Sequence, residues 1–150
     1  MNRSHIVALA AVVIAIPLGG QAVFAPAAKP CLNTGNTSFQ LSSSFDAGTR
    51  VRIADDATPS DLRVSFVDSP DRADFILVDD AGEPENCPAA RRRTVNVGHG
   101  VAKADISVGI VQDAADYRIY LNSTRYSRED AAGLFAAIWR ADHKAKLATR

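Results

Sequence analysis

The stretch Asp61–Asp80, DLRVSFVDSPDRADFILVDD, decides how the fold is read, because it carries the densest apolar signal downstream of the N-terminal segment. Leu62, Val64 and Phe66 alternate with Arg63, Ser65 and Val67, the period-two pattern of a half-buried strand. Phe75, Ile76, Leu77 and Val78 form an unbroken apolar run, short enough to be a strand covered on both faces. Between the two, Asp68-Ser69-Pro70-Asp71-Arg72 supplies turn chemistry: Asp and Ser bond nearby backbone, and Pro fixes φ. A connection of roughly six residues predicts an antiparallel hairpin, since a parallel return ordinarily takes about a dozen.

Working outward, Thr49–Ala54 (TRVRIA) alternates cleanly, and Phe39 and Leu41 suit an edge strand. With the stretch above, these predict a meander. Downstream, Thr94–Val97, Ile106–Ile110 and Tyr117–Asn122 add strands, and Gly109 inside one of them invites a bulge or a close backbone approach. The period then changes. Ser127 with Asp130 three residues on forms a capping-box-like start, and Leu134, Phe135, Ile138, Ala141 and Ala145 recur at helical spacing. These readings predict an α+β domain, with a mainly antiparallel sheet of five or six strands packed by one C-terminal helix over Ser127–Ala145. No internal repeat or low-complexity run stands out.

The N-terminus reads as a secretory signal peptide over residues 1–27. A basic start at Arg3 precedes the apolar core Ile6–Gly20, and small residues place cleavage near 22–27. Residues 28–150 are then a single domain with a flexible N-terminal leader, periplasmic or secreted, with no membrane span after cleavage. In an oxidising compartment the two cysteines, Cys31 and Cys87, are expected to form a disulfide.

The 17 basic and 17 acidic residues balance over the whole chain but not locally. Asp46–Glu85 holds 4 basic against 11 acidic residues, and Arg91–Arg150 holds 11 against 6. The two halves attract if they fold together, or else present oppositely charged faces.

Three groups carry candidate chemistry. His99 stands between Gly98 and Gly100, where an exposed imidazole can act as a base or ligand. Asp79, Asp80, Glu83 and Glu85 crowd one long loop, residues 79–93, and supply oxygen ligands of the kind calcium takes. Their spacing does not match an EF-hand, and a solvated acidic loop is the plainer reading. Arg91, Arg92 and Arg93 offer guanidinium groups to an anionic envelope component or another periplasmic protein. Nothing in them points to nucleic acid, since no aromatics are interleaved.

The short signal, the DSPDRADFILVDD segment, the cysteine pair and the closing SREDAAGLFAAIW helix resemble small exported bacterial proteins of unknown function. That resemblance transfers no catalytic residue. Without an assembled nucleophile, base and orienter, the sequence points to an exported, non-catalytic binding or envelope-accessory module with no cofactor. The alternative is a small hydrolase or metal-dependent enzyme using His99 and the acidic loop 79–85.

Overall fold

The computed structural model describes residues 31–44, 47–55, 58–79 and 91–148. Residues 1–27, expected to be a signal peptide, most of the acidic loop with Asp80, Glu83 and Glu85, and Cys87 lie outside the described residues, so the expected Cys31–Cys87 pairing does too.

Eight strands precede one helix: β1 (Leu32–Thr34), β2 (Thr37–Leu41), β3 (Thr49–Ala54), β4 (Leu62–Val67), β5 (Phe75–Val78), β6 (Arg92–Gly98), β7 (Ile106–Ile110), β8 (Tyr117–Asn122) and α1 (Arg128–Ala148). A single 3-10 turn at Pro70–Arg72 lies between β4 and β5. The strands form one sheet in the order β1-β2-β6-β3-β7-β4-β8-β5, curled into a half-barrel. Only β1 and β2 pair antiparallel; every other pair is parallel.

This overturns the expected mainly antiparallel sheet of five or six strands. Strands β2 to β8 and the helix fall close to where the periodicity places them, but β1 arises within the stretch expected to be a flexible leader, and the strand partners differ. β4 and β5 are not a hairpin, because β8 lies between them and runs parallel to both. Nor do β3 and β4 form a meander, because β7 separates them. The strand at Phe39 is not at the edge either, since β1 covers it.

The physical reason is stagger. Ile53 pairs with Val108, and Val108 pairs with Leu62, so β4 begins level with the second-to-last residue of β3. In the same way Phe66 is level with Ile119 and Ile119 with Phe75, which starts β5. Val97 is level with Val51 and Val51 with Ile106, which starts β7. Each crossover therefore moves sideways across one strand, about 10 Å, with almost no return along the sheet. The seven residues 55–61 between β3 and β4 reach roughly 23 Å when extended, which is ample. A parallel return needs a long crossover only when it must climb back the full length of a strand.

One such crossover leaves its mark on Gly109. A Cβ there would sit 2.9 Å from Ser60 Oγ, so the chain entering β4 passes directly over β7. Gly109 is the close backbone approach that its place in the strand suggested.

Residues level with one another in a parallel sheet share a face. The face holding Val51, Ile53, Val64, Val95, Val108 and Ile119 is buried, and α1 packs across it. The helix contributes Ala131–Ala137 as nearly two turns almost free of solvent. Gly133 lets it approach: an added Cβ would lie 2.4 Å from Val97 Cγ2 and 2.6 Å from Val97 Cγ1. The capping box forms as the sequence implies, with the Asp130 N–H donating to Ser127 Oγ at 3.1 Å and the Ser127 N–H to Asp130 Oδ2 at 3.0 Å.

Candidate functional site

Two rims of the sheet concentrate polar chemistry. At the rim where the parallel strands begin, four strands open with the same device. Asp61, Asp74, Asp105 and Asp116 each precede a strand, and each turns its carboxylate onto the second residue of the neighbouring strand. Asp105 accepts the Arg50 N–H at 2.9 Å, Asp61 the Ser107 N–H at 2.7 Å, Asp116 the Arg63 N–H at 2.8 Å and Asp74 the Arg118 N–H at 2.8 Å. The backbone N–H of the same Asp donates back to that residue's carbonyl at 2.8–3.1 Å. Where that residue is arginine, its side chain adds an ion pair at 3.3–3.6 Å.

These contacts hold the Asp61 and Asp74 carboxyls below the usual carboxylate range, through the Ser107 hydroxyl and the Arg118 guanidinium respectively. Burial pushes Asp105 upward, but the Arg50 N–H and the charges of Arg140 and Arg50 outweigh it. Arg140 of α1 also donates to the Asp105 backbone carbonyl. The acidic and basic halves of the sequence thus interleave strand by strand, with ion pairs running both ways: Asp74–Arg118 and Asp79–Arg125 in one direction, Arg50–Asp105 and Arg63–Asp116 in the other.

At the opposite rim, where the strands end, His99 follows β6. Its Nδ1 lies 3.3 Å from Asp55 Oδ1 at the end of β3, and its Nε2 lies 3.3 Å from Glu129 Oε1 in the first turn of α1. Glu129 and then Asp55 favour the imidazolium and raise the His99 pKa against the opposing effect of burial. Each ring nitrogen faces a carboxylate, while the His99 side chain stays 54% exposed. One ion cannot meet all three side chains, because the carboxylates lie at opposite ends of the ring. Among the described residues no group of three His, Cys, Asp or Glu side chains is placed to hold a metal.

His99→Ala is accordingly expected to lower the thermal midpoint modestly. A raised folded-state pKa contributes stability that is complete below the unfolded value of about 6.5 and fades as pH rises through the folded value. The gap between variant and wild type should therefore be widest near pH 5.5 and close by about pH 8.5. Scanning calorimetry at both pH values checks this, and an equal gap at both would contradict it.

Asp79, the described member of the acidic loop, is engaged with Arg125, which donates through Nε at 2.7 Å and also through Nη2. The Ser123 hydroxyl adds a bond at 3.0 Å. Arg125 first, then Ser123, keep this carboxyl low although burial opposes them. Its side chain is only 5% exposed. Beside it Tyr126 is buried, and its phenol is pushed up to about 12, mainly by burial. A little further along the rim Arg128 lies 4.5 Å above the Phe66 ring. It also borders a shallow cleft of about 350 Å³ with Ser65, Ile110 and Gln112.

The three consecutive arginines do not converge. The Arg91 guanidinium donates to Asn36 Oδ1 at 3.1 Å. Arg92 and Arg93 are exposed on β6 at successive positions, level with Ser38 and Phe39, and so point to opposite faces of the sheet. His99 lies at the other end of β6, so the arginines and the imidazole share no cleft.

Sequence reasoning missed the leading aspartates and the partners of His99. The aspartates did leave a signal: Ser60-Asp61-Leu62, Ala73-Asp74-Phe75, Ala104-Asp105-Ile106 and Ala115-Asp116-Tyr117 repeat a small residue, Asp and an apolar residue. No family model, curated protein or solved structure matches this chain.

Proposed function

We propose that this protein is an exported, non-catalytic binding module of the cell envelope. The observation that supports this reading is how the reactive side chains are used. His99 is paired with Asp55 and Glu129, Asp79 is held by Arg125 and Ser123, and the four leading aspartates hold neighbouring strands. These candidate acid–base groups are engaged in local geometry, whereas Arg92 and Arg93 stand exposed with no carboxylate partner among the described residues. The reading of residues 1–27 as a signal peptide supplies the location.

Exposed guanidinium groups suit carboxylate or phosphate on an anionic envelope component or a periplasmic protein. Because Arg92 and Arg93 face opposite sides, each engages such a partner singly, at the rim where β6 begins. Such binding weakens as salt rises, since exposed charges are screened beyond about 8 Å at physiological ionic strength. A pull-down from envelope extract should recover partner at low salt and little at high salt, and the Arg91→Gln, Arg92→Gln, Arg93→Gln triple variant should recover little at either. Equal recovery from both proteins at both salt levels would contradict this mode. Metal-stimulated hydrolysis lost in His99→Ala would instead favour an enzyme.

A further inference from the structure

We propose that the outer edge of β5 receives one further parallel strand, an extended segment of a partner protein that opens with Asp and carries apolar residues at alternate positions. The inference concerns a different surface from the arginines and does not depend on them.

The geometry comes from the repeated strand-opening device. Across the order β3-β7-β4-β8-β5, the second residue of each inner strand, Arg50, Ser107, Arg63 or Arg118, gives its backbone N–H to the Asp that opens the next strand. On β5 the equivalent residue is Ile76. It is followed across the sheet by no described strand, so the position that takes an Asp four times over is open at the edge.

Side chains change character at the same place. At the other four positions Arg or Ser stands on this face, and each arginine meets its Asp. Here the face turns apolar: Val67 is level with Tyr120, and Tyr120 with Ile76. Ile76 and Val78 are 50% and 52% exposed, the large hydrophobic residues of the described chain that stand most open to solvent. Edge strands are commonly blunted by charge or proline, and Phe75–Val78 contains neither.

The occupant follows from the direction of this edge. A second copy pairing β5 with β5 about a twofold axis would run antiparallel, which cannot continue the parallel register that sets each Asp against the second residue of its neighbour. An added strand gains affinity from its main-chain ladder, and alternate apolar side chains select it. To continue the existing register it must run parallel to β5, with its Asp level with Ile76 and accepting the Ile76 N–H, and with an apolar residue two places further on beside Val78.

A fluorescent peptide copying Ala115–Asn122 with Arg118→Val (ADYVIYLN), which sets a valine beside Val78, is a suitable probe. Anisotropy titration of the full chain should show saturable binding that high salt leaves nearly unchanged, which separates it from the arginine-mediated mode. Ile76→Lys/Val78→Lys should weaken binding at least tenfold while circular dichroism stays that of the wild type, because both side chains are exposed. Ile76→Thr should give a smaller loss, and Asp116→Ala in the peptide should weaken binding to the wild type. Absence of saturable binding, or equal binding by the double variant, would overturn the proposal. Concentration-dependent dimers in sedimentation velocity that the double variant abolishes would also overturn it, by showing a second copy at this edge.

Discussion

Gly133→Ala is expected to destabilise the protein by about 2 kcal/mol, against the usual direction of a glycine-to-alanine change inside a helix. Alanine at an ordinary interior position gains about 1 kcal/mol over glycine. Here the new Cβ would fall 2.4 Å and 2.6 Å from the two Val97 methyl carbons and 3.1 Å from Val97 Cβ. Val97 is β-branched on a central strand and has little rotamer freedom to give way. Either α1 lifts off β6 or both backbones shift, and overpacking of this kind costs roughly 1–3 kcal/mol. Denaturant unfolding measures the loss. Val97→Ala in the same chain should restore most of it, because the clash is with that one side chain, so the two substitutions should be strongly non-additive. An additive pair would mean that the helix does not meet β6 at this point.

Asp61→Ala is expected to cost about 2 kcal/mol, more than the same change at Asp116. Both open a strand, but the groups they leave behind differ. Asp61 accepts both the N–H and the hydroxyl of Ser107 at 2.7 Å, and Ser107 is 5% exposed. Truncation strands two buried donors, and each unsatisfied buried group costs about 1–3 kcal/mol before water or relaxation intervenes. At Asp116 the abandoned partners are the Arg63 N–H and an exposed guanidinium, which water can serve. The same groups set the acid limit of the fold. Asp61, Asp74, Asp79 and Asp105 are all held below the ordinary aspartate value of 3.8. A depressed folded-state pKa contributes stability that is present above the unfolded value and is lost as pH falls through the folded one. Stability should therefore drop below about pH 4, and Asp61→Asn should flatten that drop while lowering stability at pH 7. Thermal midpoints across pH 2–7 for both proteins check the sign.

The local structure was legible and the topology was not. Alternation in 62–67, 106–110 and 117–122 and the apolar run 75–78 mark strands within a residue of where they lie, and the Ser127–Asp130 box starts the helix where it begins. These features depend on neighbours in sequence. Strand partners depend on stagger, and a single alternating strand carries no record of its vertical offset from the next. Short connections then argue for hairpins unless the offset is known. Two aspects of the chain did encode the answer. The repeated Asp before an apolar residue marks where each strand locks to its neighbour. Gly109 is needed because a crossover passes over it. As for the site, His99 was visible as a residue, but its pairing with Asp55 and Glu129 was not, since β3, β6 and α1 meet only in the folded sheet. The arginine run looked like one patch in sequence because consecutive residues look adjacent, whereas on a strand they face apart.

The account rests most heavily on the interleaved order, in which β8 separates β4 from β5. Amide and side-chain nuclear Overhauser contacts of the isotope-labelled protein test it directly. The order predicts cross-strand contacts from Val64 to Tyr117 and Ile110, and from Phe75 to Ile119. Direct backbone contacts between 62–67 and 75–78, running antiparallel, would contradict it.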